Sequence, residues 1–445
     1  MGEASPRRWL IWGITNLGFL IANVHRVAPN VVAGELMGEF GITAGILGTL
    51  AATYFYTYLI LQIPAGALVD RFGPRRMVVA GSVLTSIGSL LFGFAPELWM
   101  AFVGRILVGV GTAAAFIVVI KIQALWFSPR EFGMASGLSV LMGYAGAVLG
   151  ATPLAWSAAV LGWRWSFGLI GLLTLLTGAI GWLVIRDLPE GRQRDAETPV
   201  HWLEGARVTF GNPYVWPVML IFFGLYGSLL SFMGVWAGPY LTQVYGLTRE
   251  GAASYTLLIA VGLMAGGPVA GTISDRVRRR KLPAAGFASV YTLLWGLLIF
   301  WPGGRLPIEW MAPFMLALGF FGGAIALTWG SAKEVNPGPL AGMATAAVNV
   351  GGFLGTSILQ PAIGLVLDFR WQGQLAAGVR VYPLTAYRQA FLLCLAVLLI
   401  TFIGYALMQE TRCRNIWDEL VRRRVGRKHS NDIPFKNSLD ADFPV

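Results

Sequence analysis

Cysteine is nearly missing: there are two in 445 residues, Cys394 in an apolar run and Cys413 in a basic tail, so neither a disulfide framework nor a metal site is indicated. Histidine is almost as scarce, with His25, His201 and His429 far apart. No Walker loop, nucleophile elbow or His-Glu-x-x-His helix occurs, which removes ATP-driven pumping and hydrolysis. No enzyme activity, catalytic residue, metal or cofactor is therefore expected. Charge is short as well. Charged residues make up 12% and hydrophobic ones 56%, with a mean hydropathy of +0.65, whereas a soluble domain carries about 25% charge. Such a composition belongs in a lipid bilayer. The net charge of +11 sits in short loops and the tail, not on one amphipathic face. A topology bias accounts for it, and nucleic-acid binding is not expected.

What the chain has in quantity is apolar runs. Taking about 20 residues per span and letting Gly, Pro and charge clusters punctuate predicts twelve transmembrane helices, the first over 9–34 and the last over 387–409. Arg7 and Arg8 ahead of an apolar run imitate a secretory signal, but the spans that follow make this an uncleaved first helix. The expected organisation is a six-helix bundle over 1–186, an interdomain linker over 187–213, a second six-helix bundle over 214–409 and a basic, partly disordered tail over 410–445. Arg71, Arg75, Arg76, Arg130, Arg186, Arg192, Arg194, Arg207, Arg276, Arg278, Arg279, Arg280 and Lys281 fall on the side of both termini. That bias predicts cytoplasmic termini in a multi-pass protein of the cell membrane. In the tail, Arg422, Arg423, Arg424, Arg427 and Lys428 read as a topology anchor, with contact to anionic lipid as the alternative.

Between the second and third runs lies a polar, basic knot, Gly66-Ala-Leu-Val-Asp70-Arg71-Phe-Gly73-Pro74-Arg75-Arg76. Gly66 and Gly73 suit close backbone approach or a tight turn, Pro74 suits the first turn of a new helix, and the arginines mark the cytoplasmic edge. The pattern returns 205 residues later as Gly271, Asp275 and Arg276. Gly133-Met134-Ala135-Ser136 likewise reappears as Gly342-Met343-Ala344-Thr345. The echoes indicate two homologous halves, and parallel repeats of this kind put a binding site at their interface near the midplane. The Gly66–Arg76 loop resembles the signature loop of the major facilitator superfamily of secondary transporters, and the resemblance covers roughly residues 9–409. It implies an all-α membrane fold of twelve transmembrane helices in two pseudo-symmetric six-helix bundles, working by alternating access. Gly66, Asp70, Arg71, Gly73, Arg75, Gly271, Asp275 and Arg276 are then gating candidates.

Arg105, followed by Gly109 and Gly111, resembles the superfamily's Arg-x-x-x-Gly-x-Gly motif and is a further gating candidate. Buried in lipid it must find carbonyls or an acid; the alternative is an arginine snorkelling to the outer interface. Gly137, Gly143, Gly146, Gly150 and Pro153 are similar to a glycine and proline motif of drug and proton antiporters, though Ala151 and Thr152 interrupt it. The stretch reads as a packing face. Asn23-Val-His25-Arg26 resembles the first-helix stretch of the organic anion and organophosphate branches, where the arginine contacts the anionic substrate. That role falls on Arg26, while His25 stands where those proteins usually have Asp. Lys121, ahead of Trp126-Phe127, is similar in place to a basic residue of the same branches. Lys333 closes the tenth span as a cavity residue or a topology charge. Tyr54 and Tyr58 share a helix face, as hydroxyl donors or as core aromatics; Tyr144, Trp236 and Asn349 are candidates of the same kind.

Signs decide more than single residues. The charges embedded in the spans are Arg26, Arg105 and Lys121, with titratable His25, and no Asp or Glu lies securely inside a span. Such a cavity attracts an anion or the carboxylate of a zwitterion and repels cations. The expected function is a secondary carrier, acting as a monomer in the lipid bilayer, for a small organic anion or amino-acid-like metabolite, with possible proton coupling through His25. An exporter of hydrophobic or siderophore-like compounds and a non-transporting membrane receptor are the alternatives.

Overall fold

The computed structural model describes residues 7–127, 129–188, 202–376 and 378–425. Six spans form the first half: α1 (Arg7–Val31), α2 (Ala44–Phe72), α3 (Pro74–Gly93), α4 (Leu98–Thr112 and Ala115–Trp126), α5 (Pro129–Leu149 and Thr152–Leu161) and α6 (Trp163–Val184). Six form the second: α7 (Val215–Ser231, continued through Phe232–Trp236 to Ala237–Tyr245), α8 (Arg249–Val277), α9 (Lys281–Phe300), α10 (Ile308–Gly322 and Ile325–Glu334), α11 (Ala341–Phe369) and α12 (Leu384–Leu407). Short helices at Ala33–Phe40, Trp202–Gly211 and Trp417–Val425 lie between or after them. The side on which α1 begins is called here the near face and the opposite side the far face.

Eleven of these spans are long and apolar enough to cross a membrane on their own, and α1 is not among them. Asn16, Asn23, His25, Arg26 and Asn30 lower its hydropathy. Yet its 25 residues are long enough, at 1.5 Å per residue. Asn16, Asn23, His25 and Asn30 are buried inside the protein, which is where a membrane helix must keep polar groups. The twelve-helix fold therefore holds, with its most polar span on the inside.

The halves repeat one another in their irregularities. The fourth and tenth spans break at matching places, after Thr112 and after Gly322. The fifth breaks at Gly150 and Ala151, so the interrupted glycine motif is a real helix break there. In α7 the backbone widens into a π-turn over Phe232–Trp236, an irregularity tolerated in lipid only because those residues are buried in protein.

The two bundles meet most tightly where α2 runs antiparallel to α11. A Cβ on Gly48 would lie 2.4 Å from the Gln360 carbonyl oxygen, and one on Gly364 would lie 2.3 Å from that of Ala44, so glycine is what lets these backbones touch. Further along, Phe353 packs on Phe55 and Tyr58. Polar ties cross the same interface. Ala44 and Gly45 donate their backbone N–H groups to Asp368, Gly238 donates to Asn30, Arg249 pairs with Glu35, and Tyr56 donates to the Ser357 carbonyl. Pro361 explains the last of these. It lacks the N–H that would bond the carbonyl four residues earlier, and Tyr56 from the other bundle supplies the missing donor. These ties all lie at or beyond the level of Phe353, so the far face is sealed and the space between the bundles opens toward the near face. There the linker helix Trp202–Gly211 touches α2 and α11, and Leu420 of the last helix packs with Val215, Met219 and Val335.

Candidate functional site

The first span turns two neighbouring residues in different directions. Pro29 leaves the His25 carbonyl without its helical donor, and the buried Arg105 guanidinium fills that gap with a 3.0 Å bond to this oxygen. Arg105 also reaches the Ala51 carbonyl and lies over the Tyr54 ring. It is therefore a tether between α4, α1 and α2. The alternative of an arginine at the outer interface is wrong, since Arg105 is 1% exposed. The His25 ring packs inside the first bundle near Phe167, and neither ring nitrogen has a hydrogen-bond partner among the described residues.

Arg26, one residue on, points into the space between the bundles. It is partly exposed, and its guanidinium donates to Asn23 Oδ1 at 2.9 Å and to the Tyr226 hydroxyl at 3.3 Å. It lies 5.9 Å from the Tyr54 ring, 5.6 Å from Tyr58 and 5.5 Å from Phe353, within cation–π range. No carboxylate pairs with it among the described residues. Tyr54 sits between the Arg26 and Arg105 guanidinium groups and is held by a 3.1 Å bond to Thr112 Oγ1; it is fully buried, a core aromatic behind Arg26. Tyr226 stacks on Phe222, next to Trp329, whose indole N–H donates to Asn349 Oδ1 at 2.9 Å. That bond occupies the amide oxygen and leaves the Asn349 NH₂ as a donor. Arg26, Tyr144, Tyr226, Trp329 and Asn349 are all partly exposed. An arginine, tyrosine hydroxyls and an amide NH₂ thus converge from both bundles, an arrangement that receives anionic oxygen.

A model of the Major Facilitator Superfamily matches residues 15–360. The chain belongs to this superfamily. It is 26% identical over 424 residues to the D-galactonate transporter of Escherichia coli O6:H1, covering 89% of this chain and 96% of that one. It is also 26% identical over 373 residues to the probable sulfoacetate transporter SauU of Cupriavidus necator, covering 79% and 85%. Among solved structures it is similar to an inward-facing, unoccupied bacterial homologue of the human lysosomal transporter Spinster, with a TM-score of 0.72, 16% identity and coverage of 91% and 97%. The chain is thus a multi-pass membrane transporter of a small molecule, not an enzyme.

Other sequence candidates of this transporter fall outside the site. Trp236 is fully buried, and its indole donates to the Gln360 carbonyl, so it packs α7 on α11. Lys121 is half-buried in the second segment of α4, nine residues or roughly 13 Å along from Thr112 toward the near face. Lys333 is exposed at the near end of α10. Tyr226 and Trp329 are site residues that the sequence does not single out. Aromatics are frequent in these spans, and only packing across the bundles separates these two from the rest.

At the near face, Gly73 takes φ +82 between α2 and α3, as the turn requires. The Arg75 backbone N–H donates to Asp187, and its guanidinium lies 4.1 Å from the Trp182 ring. Arg71 lies over the adjacent Phe72 ring. In the second repeat, Asp275 pairs with Arg280, which also grips Glu334, while Arg276 is exposed. Arg280 and Glu334 are partners that the repeat does not reveal. Gly66 and Gly271 make no close approach, since a Cβ on either would meet nothing within 4 Å; the bundles stand apart on this face. The Asp70 side chain, linker residues 189–201 and the tail beyond 425 lie outside the described residues.

Proposed function

We propose that this transporter carries a small organic anion, bound through its carboxylate or an equivalent oxyanion by Arg26 with Tyr58, Tyr226 and Asn349 beside it. The observation that supports this reading is Arg26 itself: a partly exposed residue whose guanidinium lies between the bundles with no carboxylate partner among the described residues. Two of its relatives are named for small organic anions, sulfoacetate and D-galactonate. By the positive-inside bias the near face is cytoplasmic and the protein lies in the cell membrane with both termini inside, open here to the cytoplasm; we take it to act as a monomer. A thermal-shift screen of purified protein against carboxylate, sulfonate and phosphate metabolites, followed by uptake into proteoliposomes, tests the reading. Stabilisation by at least one anion is expected and stabilisation only by organic cations would overturn it.

Proton linkage is proposed through His25, acting by way of its packing in the first bundle and the grip of Arg105 on its carbonyl, since the ring does not share the space around Arg26. Uptake is measured across roughly pH 5 to 8, and a profile that His25→Gln alters supports linkage through this residue. A profile unchanged by that substitution leaves anion exchange as the better mechanism.

The Gly66–Arg76 loop is proposed to latch the near face when that side closes. Gly73→Leu would place a side chain at a backbone conformation that favours glycine, with its Cβ 2.5 Å from Asp187 Oδ2. Slower cycling with anion affinity within about two-fold of wild type is expected, because the change lies away from the site and shifts only the balance between access states. Calorimetry showing lost binding would count against the latch.

A further inference from the structure

Beyond the anion site and the near-face loop, we propose that Asp368 is the lock that holds the far face closed, by capping the N-terminus of the opposing bundle's second span. Asp368 sits in the last turn of α11. A carboxylate there faces the negative end of its own helix, where a cation would be favoured. Across the interface, however, it meets the positive end of α2. Its Oδ1 accepts the Ala44 N–H at 3.1 Å and its Oδ2 the Gly45 N–H at 2.7 Å. Both donors belong to the first turn of α2, which has no partners of its own for them. Among the described residues of the first bundle, the side-chain cap at this end is the long 3.4 Å contact from Ile46 N–H to Thr43, the residue before α2.

Two further groups hold the carboxylate in place. The Tyr382 hydroxyl donates to Oδ1 at 2.8 Å and itself accepts from Ala44 N–H. Arg380 stands 3.4 Å away, stacked on Trp371. Both come from the segment joining α11 to α12, whose short antiparallel strands Leu375–Ala376 and Val379–Arg380 bring Val379 against Gly38 of the first bundle. Asp368 is largely buried, with its side chain 17% exposed, so these charge-assisted bonds form in a partly dry setting, where they are strong. Every bond to α2 must break for the far face to open. The acid is therefore unfavourable to its own helix and stabilises only the far-closed state, as a state-selective lock requires.

The test is a distance measurement that needs no substrate. Spin labels on Glu97→Cys and Pro302→Cys, in the far-face loops of the two bundles, report far-face opening in a Cys413→Ser background; Cys394 is buried. Wild type should give one dominant short distance. Asp368→Ala should raise the population of the longer, far-open distance about ten-fold or more. Asp368→Asn should raise it less, because its amide keeps one acceptor oxygen, and Tyr382→Phe should act in the same direction. Distance distributions identical to wild type in both Asp368 variants would overturn the lock, and the asparagine variant keeps the test open should the alanine variant misfold. Anion affinity is measured separately, so failure of the anion reading leaves this result standing and failure of the lock leaves the anion site untouched.

Discussion

Arg26→Ala is expected to abolish uptake while the protein still inserts and stays folded. Arg26 is partly exposed and its hydrogen bonds go to Asn23 and Tyr226, with no acid partner among the described residues, so removing it strands no buried carboxylate among them. What is lost is the charge that holds the anion. Charge-assisted bonds contribute about 1.5–3 kcal/mol each, so losing a forked pair predicts an affinity drop of at least about 100-fold. Arg26→Lys should rescue weakly, because a lysine ammonium is a point charge that cannot reproduce the planar fork or its stacking among Tyr54, Tyr58 and Phe353. Counterflow in proteoliposomes, paired with thermal unfolding of the same preparations, checks both. Normal transport by the alanine variant would remove the centre of the proposed site.

Gly48→Leu should stop the cycle from the other direction. A Cβ at this position would stand 2.4 Å from the Gln360 carbonyl oxygen and 2.8 Å from the Pro361 Cα, both backbone atoms that cannot rotate away. Overpacking of this kind costs about 1–3 kcal/mol, enough to shift the balance of access states by roughly five- to 150-fold. The variant should collect in the far-open state, bind anion from that side and fail to turn over. The control is Gly286→Leu, at an exposed position of α9 where an added Cβ meets nothing within 4 Å, and it should transport normally. Equal activity of the two variants would mean that the α2–α11 contact is not the closing surface.

Several of these features are legible in the chain of residues alone. The Arg26 position follows from a costly charge in an apolar run, and the near-face turn from a glycine followed by proline and arginines; Gly73 indeed has φ +82 and Pro74 opens α3. The pairing of His25 with its neighbour at one site is not what the fold builds. Adjacent helical residues point about 100° apart, so the imidazole faces Phe167 while the guanidinium faces the other bundle. The close approach expected of Gly66 does not exist with the near face open. Asp368 looks like an ordinary residue at a span end, because its partners Ala44, Gly45 and Tyr382 are distant in sequence or are backbone groups that sequence does not mark.

The sequence by itself determined the medium, the number of spans and the sign of the site, because hydropathy and charge are summed locally along the chain and lipid tolerates few exceptions. Only the tertiary structure decided which polar groups meet. That Pro29 hands the His25 carbonyl to Arg105, that Tyr226 joins Arg26 from the opposite bundle, and that the acid closing α11 caps α2 are matters of packing between helices remote in the chain. Those contacts depend on how the two bundles tilt against one another, a relative position that local periodicity does not encode.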